Sequence, residues 1–169
     1  MKKITLSIIA VLAFGFANAQ DGHFKVGAHV GLPMGDIKDA YSVNLGVDVA
    51  YLWEVADKFS AGATTGYSTY LAKSYTFSDG INTVKIKGDA AGYIPVAATA
   101  QYSISDNLFV GADLGYAIYA GSGDGDGGVI YQPKFGYQAE KYEVYAGYKG
   151  ISVDGGTFSS INVGFNYKF

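Results

Sequence analysis

From Ile161 to Phe169 every odd position is apolar or aromatic, and every even one is Asn, Gly, Asn or Lys. Successive side chains of an extended strand point to opposite faces, so this segment has one greasy side and one polar side. Seven earlier stretches alternate in the same way. In 23–32, Phe24, Val26, Ala28, Val30 and Leu32 oppose His23, Lys25, Gly27, His29 and Gly31. In 41–54, Val43 to Trp53 at odd positions oppose Asn44, Gly46, Asp48 and Glu54. The third stretch, 60–77, sets Ala61 to Leu71 against Gly62, Thr64, Gly66 and Ser68, and the fourth, 91–104, sets Ile94 to Ile104 against Tyr93, Pro95, Ala97, Thr99 and Gln101. In 108–119 the polar side carries Asp113, in 129–138 Gln132, Lys134 and Gln138, and in 142–149 Glu143, Tyr145 and Lys149. Together these predict eight strands, each with lipid on one side and a polar lumen on the other.

The connections follow a second pattern. Ala56-Asp57-Lys58, Ser105-Asp106-Asn107 and Ala139-Glu140-Lys141 are short and polar, as tight hairpin turns are. The connections around 33–41, 78–90, 120–128 and 150–157 are longer and rich in Gly and Asp. Short turns alternating with long loops predict an all-β, antiparallel, up-and-down transmembrane barrel with both termini in the periplasm. Pro95 and Pro133 each remove a ladder donor, so a bulge, a strand end or a one-residue change of register is expected there.

Composition agrees. The 24 Gly and 15 Tyr favour strands over helices. At the start, Lys2 and Lys3 precede an apolar run from Ile4 to Phe16, and Ala17-Asn18-Ala19 is a small-x-small cleavage pattern. Residues 1–19 therefore read as a signal peptide and 20–169 as one barrel domain. After that segment no window approaches 18 consecutive apolar residues, so a membrane would be crossed by strands. The remaining chain carries 10 Lys and no Arg against 15 acids, the wrong balance for nucleic acid. No Cys means neither disulfides nor a lipid-modified N-terminal Cys.

Each face has its own chemistry. The outward set holds no charged residue, as lipid requires. Tyr51, Trp53, Tyr102, Tyr137, Tyr142 and Tyr167 fall near the short turns, and Tyr41, Tyr70, Tyr116, Tyr119, Tyr131 and Tyr148 near the long loops, which predicts two aromatic girdles. The inward set carries Lys25, Lys134, Lys149 and Lys168 against Asp48, Glu54, Asp113 and Glu143, with His29 among them. Mutual pairing of these charges predicts a plugged interior, because an eight-stranded barrel is just wide enough for its own side chains.

These features together resemble the small outer-membrane-protein barrels of the OmpA transmembrane-domain and OmpX type. The resemblance spans 20–169, and its most specific part is the terminal strand. It implies that Phe165, Tyr167 and Phe169 resemble the signal read by the barrel assembly machinery, and that the protein sits in the outer membrane. No peptidoglycan-binding domain follows the barrel, so no cell-wall tether is implied.

Catalysis finds little support. A lipid A deacylase needs His, Ser and an acid facing the membrane, whereas His23 and His29 share the inward parity of Lys25. The two histidines stand roughly 20 Å apart along a strand, too far to share a metal. Gly121-Ser122-Gly123-Asp124-Gly125-Asp126-Gly127-Gly128 lacks the bidentate Glu of a calcium loop. A soluble lipocalin-like barrel would need an apolar lumen, and here the polar face points inward.

The segment from Lys73 to Asp89 carries Tyr75, Phe77, Ile81, Val84 and Ile86, so strands three and four are expected to continue beyond the membrane as a hairpin whose edge could take a surface ligand. The reading is a monomeric, non-catalytic barrel with no cofactor or metal, acting structurally or by surface interaction. A narrow channel for water or small solutes is the second reading. A lipid A-modifying enzyme ranks behind both.

Overall fold

The computed structural model describes residues 22–78, 83–122 and 125–169. The segment read as a signal peptide and part of the Gly-Asp loop lie outside the described residues. Eight strands close into one barrel: β1 (Gly22–Met34), β2 (Tyr41–Ala56), β3 (Phe59–Ala72), β6 (Ala91–Ser103), β7 (Leu108–Tyr119), β8 (Gly128–Gln138), β9 (Tyr142–Val153) and β10 (Gly156–Lys168). Neighbours in sequence pair antiparallel, and β10 returns to β1 to seal the sheet. Two short strands, β4 (Ser74–Ser78) and β5 (Thr83–Lys87), form a separate hairpin between β3 and β6, as the sequence leads one to expect.

The pairing register sets the size of the lumen. Partners traced from Phe24 run through Tyr51, Ala63, Ala98, Leu114, Tyr131, Gly150 and Ser159, and return to β1 at Met34, ten residues on. That stagger inclines the strands by roughly 40° to the barrel axis and leaves a bore that side chains fill.

The alternation seen in the sequence becomes the two faces of the wall. Leu32, Leu114, Phe135 and Val163 are among the most exposed residues, whereas Lys25, Lys149, Glu143 and Asn162 are buried. Large apolar side chains turned outward all round a closed sheet are unstable in water and suit lipid. Aromatic rings gather near the short turns, with Phe24 against Tyr51 at 4.5 Å, Tyr51 against Trp53 at 4.7 Å and Tyr142 stacked on Phe165 at 6.1 Å. Tyr102, Tyr116, Tyr131, Tyr137 and Tyr148 also lie on the outer face.

Several expectations are corrected. Pro95 and Pro133 cause neither a bulge, a strand end nor a change of register. Pro95 keeps its place opposite Ala117, and Pro133 opposite Ala112. On its other side each proline interrupts the ladder, between Thr65↔Val96 and Ser68↔Tyr93 and between Tyr131↔Gly150 and Lys134↔Gly147. A missing N–H affects one neighbour only, so the rest of the ladder holds the register. The connection around 150–157 is not a long loop either: β9 and β10 continue to a turn at Asp154-Gly155, where Gly155 takes φ +89°, a conformation glycine adopts without steric cost.

Candidate functional site

Among the described residues the lumen gathers the buried polar chemistry, and it is built in tiers. Nearest the short turns, the Lys25 ammonium donates to Glu143 Oε1 at 2.6 Å and to Gln101 Oε1 at 2.7 Å. Gln101 Nε2 donates in turn to Glu143 Oε1 and to Gln138 Oε1, both at 3.0 Å, and Gln138 Nε2 donates to Ser103 Oγ at 2.9 Å. Lys25 and Glu143 come from β1 and β9, with β10 between them. Their side chains keep only 5% and 2% exposure, so the pair is effectively dry.

Above this tier lies a small cavity of about 30 Å³. Its polar lining includes Lys25, Asp48, Asp113, Lys134, Glu143 and Gln132. Lys134 grips both oxygens of Asp113 at 2.8 Å and stands 5.5 Å from the centre of the Tyr145 ring. The volume suits one or two water molecules.

The third tier centres on His29. Its Nδ1 lies 2.5 Å from Asp48 Oδ2, and its Nε2 lies 2.8 Å from the Lys149 ammonium and 3.4 Å from Ser68 Oγ. Ser68 also accepts from Asn44 Nδ2 at 2.9 Å. Lysine has three N–H donors and no acceptor. With Lys149 as an ammonium, Nε2 accepts from it and Nδ1 carries the hydrogen donated to Asp48. His29, Asp48 and Ser68 hold the relative places of a hydrolytic triad, but the lone pair that would take a proton from Ser68 is already engaged by Lys149. Ser68 is only 1% exposed, and the arrangement ties β1, β2, β3 and β9 together.

The top tier is apolar. Tyr41, Tyr70, Tyr93 and Phe158 form a ring cluster with centroid separations between 5.3 and 6.5 Å, and Tyr119 extends it from Tyr93 at 5.6 Å. Ile37, from the 3-10 turn Gly35–Ile37, packs with them, as do Ile130 and Ile151. Tyr70 places its only polar atom 3.1 Å from Ser160 Oγ.

Tyr41, Tyr70 and Tyr119 therefore belong to an internal cap and not to the outer girdle. For Tyr70 and Tyr119 the alternation already points inward, since they share parity with Ser68 and Asp113. Tyr41 is turned by the register shift between it and Val43, which no pattern in the sequence announces. Glu54 is corrected as well: it has inward parity but stands exposed on the rim beyond the network, and Lys168 is half-buried near the same end. Among the described residues Lys25 pairs with Glu143 and Lys134 with Asp113, while the His29 imidazole stands between Lys149 and Asp48.

Inward glycines are seats for these side chains and not room for water. A Cβ on Gly46 would strike the His29 ring, one on Gly164 the Tyr145 ring, and one on Gly136 would stand 2.7 Å from the Phe109 ring. Among the described residues no group of His, Cys, Asp or Glu is placed to hold a metal ion.

No family model matches the chain, and no curated relative does. Solved structures do. A de novo designed transmembrane β-barrel aligns over 89% of this chain and 98% of its own, with TM-score 0.55 and 12% identity. Ail, the attachment invasion locus protein of Yersinia pestis, aligns over 88% and 97%, with TM-score 0.53 and 14% identity. The N-terminal β-barrel domain of Pseudomonas aeruginosa OprF aligns over 88% and 100%, with TM-score 0.50 and 13% identity. The fold is that of the small outer-membrane barrels. A designed barrel and a natural attachment protein match it about equally well, so this shared fold leaves the role of the chain to be argued from its own residues.

Proposed function

We propose that the chain is a non-catalytic outer-membrane barrel whose lumen is closed and whose role is carried by the parts outside the bilayer, above all the hairpin of 73–89. The observation that carries this reading is the filling of the bore on both sides of one small cavity, by the Lys25 and Glu143 pair toward the short turns and by the His29 tier and the aromatic cap beyond it. Both termini then face the periplasm, lipids cover the apolar wall, and Phe165, Tyr167 and Phe169 are the segment offered to the barrel assembly machinery. A monomer is the state this reading favours, and the closed sheet, which leaves no barrel edge to pair, supports it.

Among the described residues the hairpin of β4 and β5 has ladder pairs only within itself, as a sheet separate from the barrel, which offers its outer edges for strand addition by a surface ligand. Ail, which shares the fold, is an attachment invasion locus protein.

Planar-bilayer recording of the purified, refolded protein tests the closure. No conductance steps are expected. Reproducible steps would replace this reading with a narrow channel. An epitope placed within residues 79–82 should be reached by antibody on intact cells; labelling only after lysis would reverse the assigned orientation.

A further inference from the structure

Four strands meet at one imidazole. His29 stands on β1, Asp48 on β2, Ser68 on β3 and Lys149 on β9, so the tier ties one side of the wall to another across the lumen. The His29 side chain is fully enclosed, while that of Asp48 keeps 23% exposure and reaches the central cavity. From the short-turn end, Gln138, Gln101 and Glu143 form a hydrogen-bonded path toward that cavity, and the aromatic cap covers the other end.

The donor count makes this tie conditional. Nδ1 already holds a hydrogen directed at Asp48, so a second proton on the ring can go only to Nε2. That nitrogen's one lone pair is occupied by the Lys149 ammonium at 2.8 Å. A doubly protonated His29 and a seated Lys149 ammonium therefore exclude each other, by loss of the acceptor and by the closeness of two cations. Among the described residues the other hydrogen-bond partner of the seated Lys149 is Ser68 Oγ, at the longer distance of 3.4 Å.

We propose that Asp48, His29 and Lys149 form a proton-controlled latch: at neutral pH the imidazole relays Lys149 to Asp48 and holds β9 against β1 to β3, and a proton arriving from the short-turn side through the cavity ejects the ammonium and loosens the barrel. The proton is the ligand, and Nε2 is its site. Of the other charged groups around the cavity, Asp113 on β7 and Lys134 on β8 act electrostatically on Lys149, and Lys25 on β1 and Glu143 on β9 line its short-turn side. Tyr145 on β9 and Thr99 on β6 complete its surroundings near the cavity.

The test is nitrogen-15 NMR of the refolded barrel, with histidine and lysine labels, from pH 8 to pH 5. At pH 8 the His29 ring should show protonated Nδ1 and bare Nε2, and the Lys149 ammonium should exchange slowly with water. On acidification Nε2 should gain its proton and the Lys149 signal should be lost at one common midpoint. A His29 ring protonated on Nε2 at pH 8, or separate midpoints for the two residues, overturns the latch.

His29→Gln offers an independent reading, because an amide can accept from Lys149 and donate to Asp48 yet does not titrate. The temperature at which the SDS-resistant barrel unfolds should fall from pH 8 to pH 5 in the wild type, and at least 5 °C less in H29Q. Equal falls also overturn the proposal, since H29Q retains Asp113 and Lys134. Should H29Q fail to fold, the wild-type NMR titration decides alone.

Discussion

At the scale of single residues, the lumen works by pairing, and a broken pair is more harmful than no pair. Glu143→Gln removes the charge that Lys25 faces at 2.6 Å and leaves an ammonium enclosed in the barrel. The expected loss is about 3–5 kcal/mol in reversible urea unfolding from lipid vesicles. Replacing both partners, as in K25M/E143L, should recover most of that loss, because no charge is then stranded. Recovery of less than half would mean that Glu143 acts mainly through Gln101 and Asn166, its other hydrogen-bond donors. Glycine is the counterpart of these side chains. Gly164 gives the Tyr145 ring its place against the wall, so Gly164→Ala should cost about 1–3 kcal/mol in the same assay through overpacking. A neutral result would show that the ring can move aside freely.

At the scale of strands, the period of two was nearly sufficient. It separates Lys25 from Phe24 and Lys149 from Tyr148, and the exposures follow the same split. The pattern was legible because lipid and lumen press opposite demands on alternate positions along the whole strand. It lost its hold at strand ends, where a shift turned Tyr41 inward and the short hairpin at Asp154-Gly155 replaced an expected loop. Which inward groups meet was not legible at all. The joining of His29 to Lys149 depends on the order and stagger of strands, and both emerge only when the sheet closes. Mid-strand on the outer face, Leu114 is 63% exposed, and Leu114→Lys should cost about 2–4 kcal/mol in vesicle-based unfolding. A cost near zero would mean that this part of β7 lies outside the hydrocarbon.

At the scale of the molecule, two unlike materials fill one bore. Ion pairs and amides occupy the end with the short turns, and aromatic rings close the end with the hairpin. The cap is the drier barrier, so the double variant Y70A/F158A should produce conductance steps in planar bilayers where the wild type gives none; its silence would place the controlling seal in the charged tiers. The seam has a consequence in time. Lys25 pairs with Lys168 and Met34 with Ser159, so the first and last strands are partners from opposite ends of the chain. Contacts between such distant partners form slowly, because a long stretch of chain must be ordered before they repay its lost entropy. Until β10 arrives, the growing sheet is an open ribbon with two sticky margins, and any neighbouring chain in the same unfinished state is a rival for them. Successful maturation of this protein is therefore a race between the barrel's closing strand and the company the other seven keep while waiting.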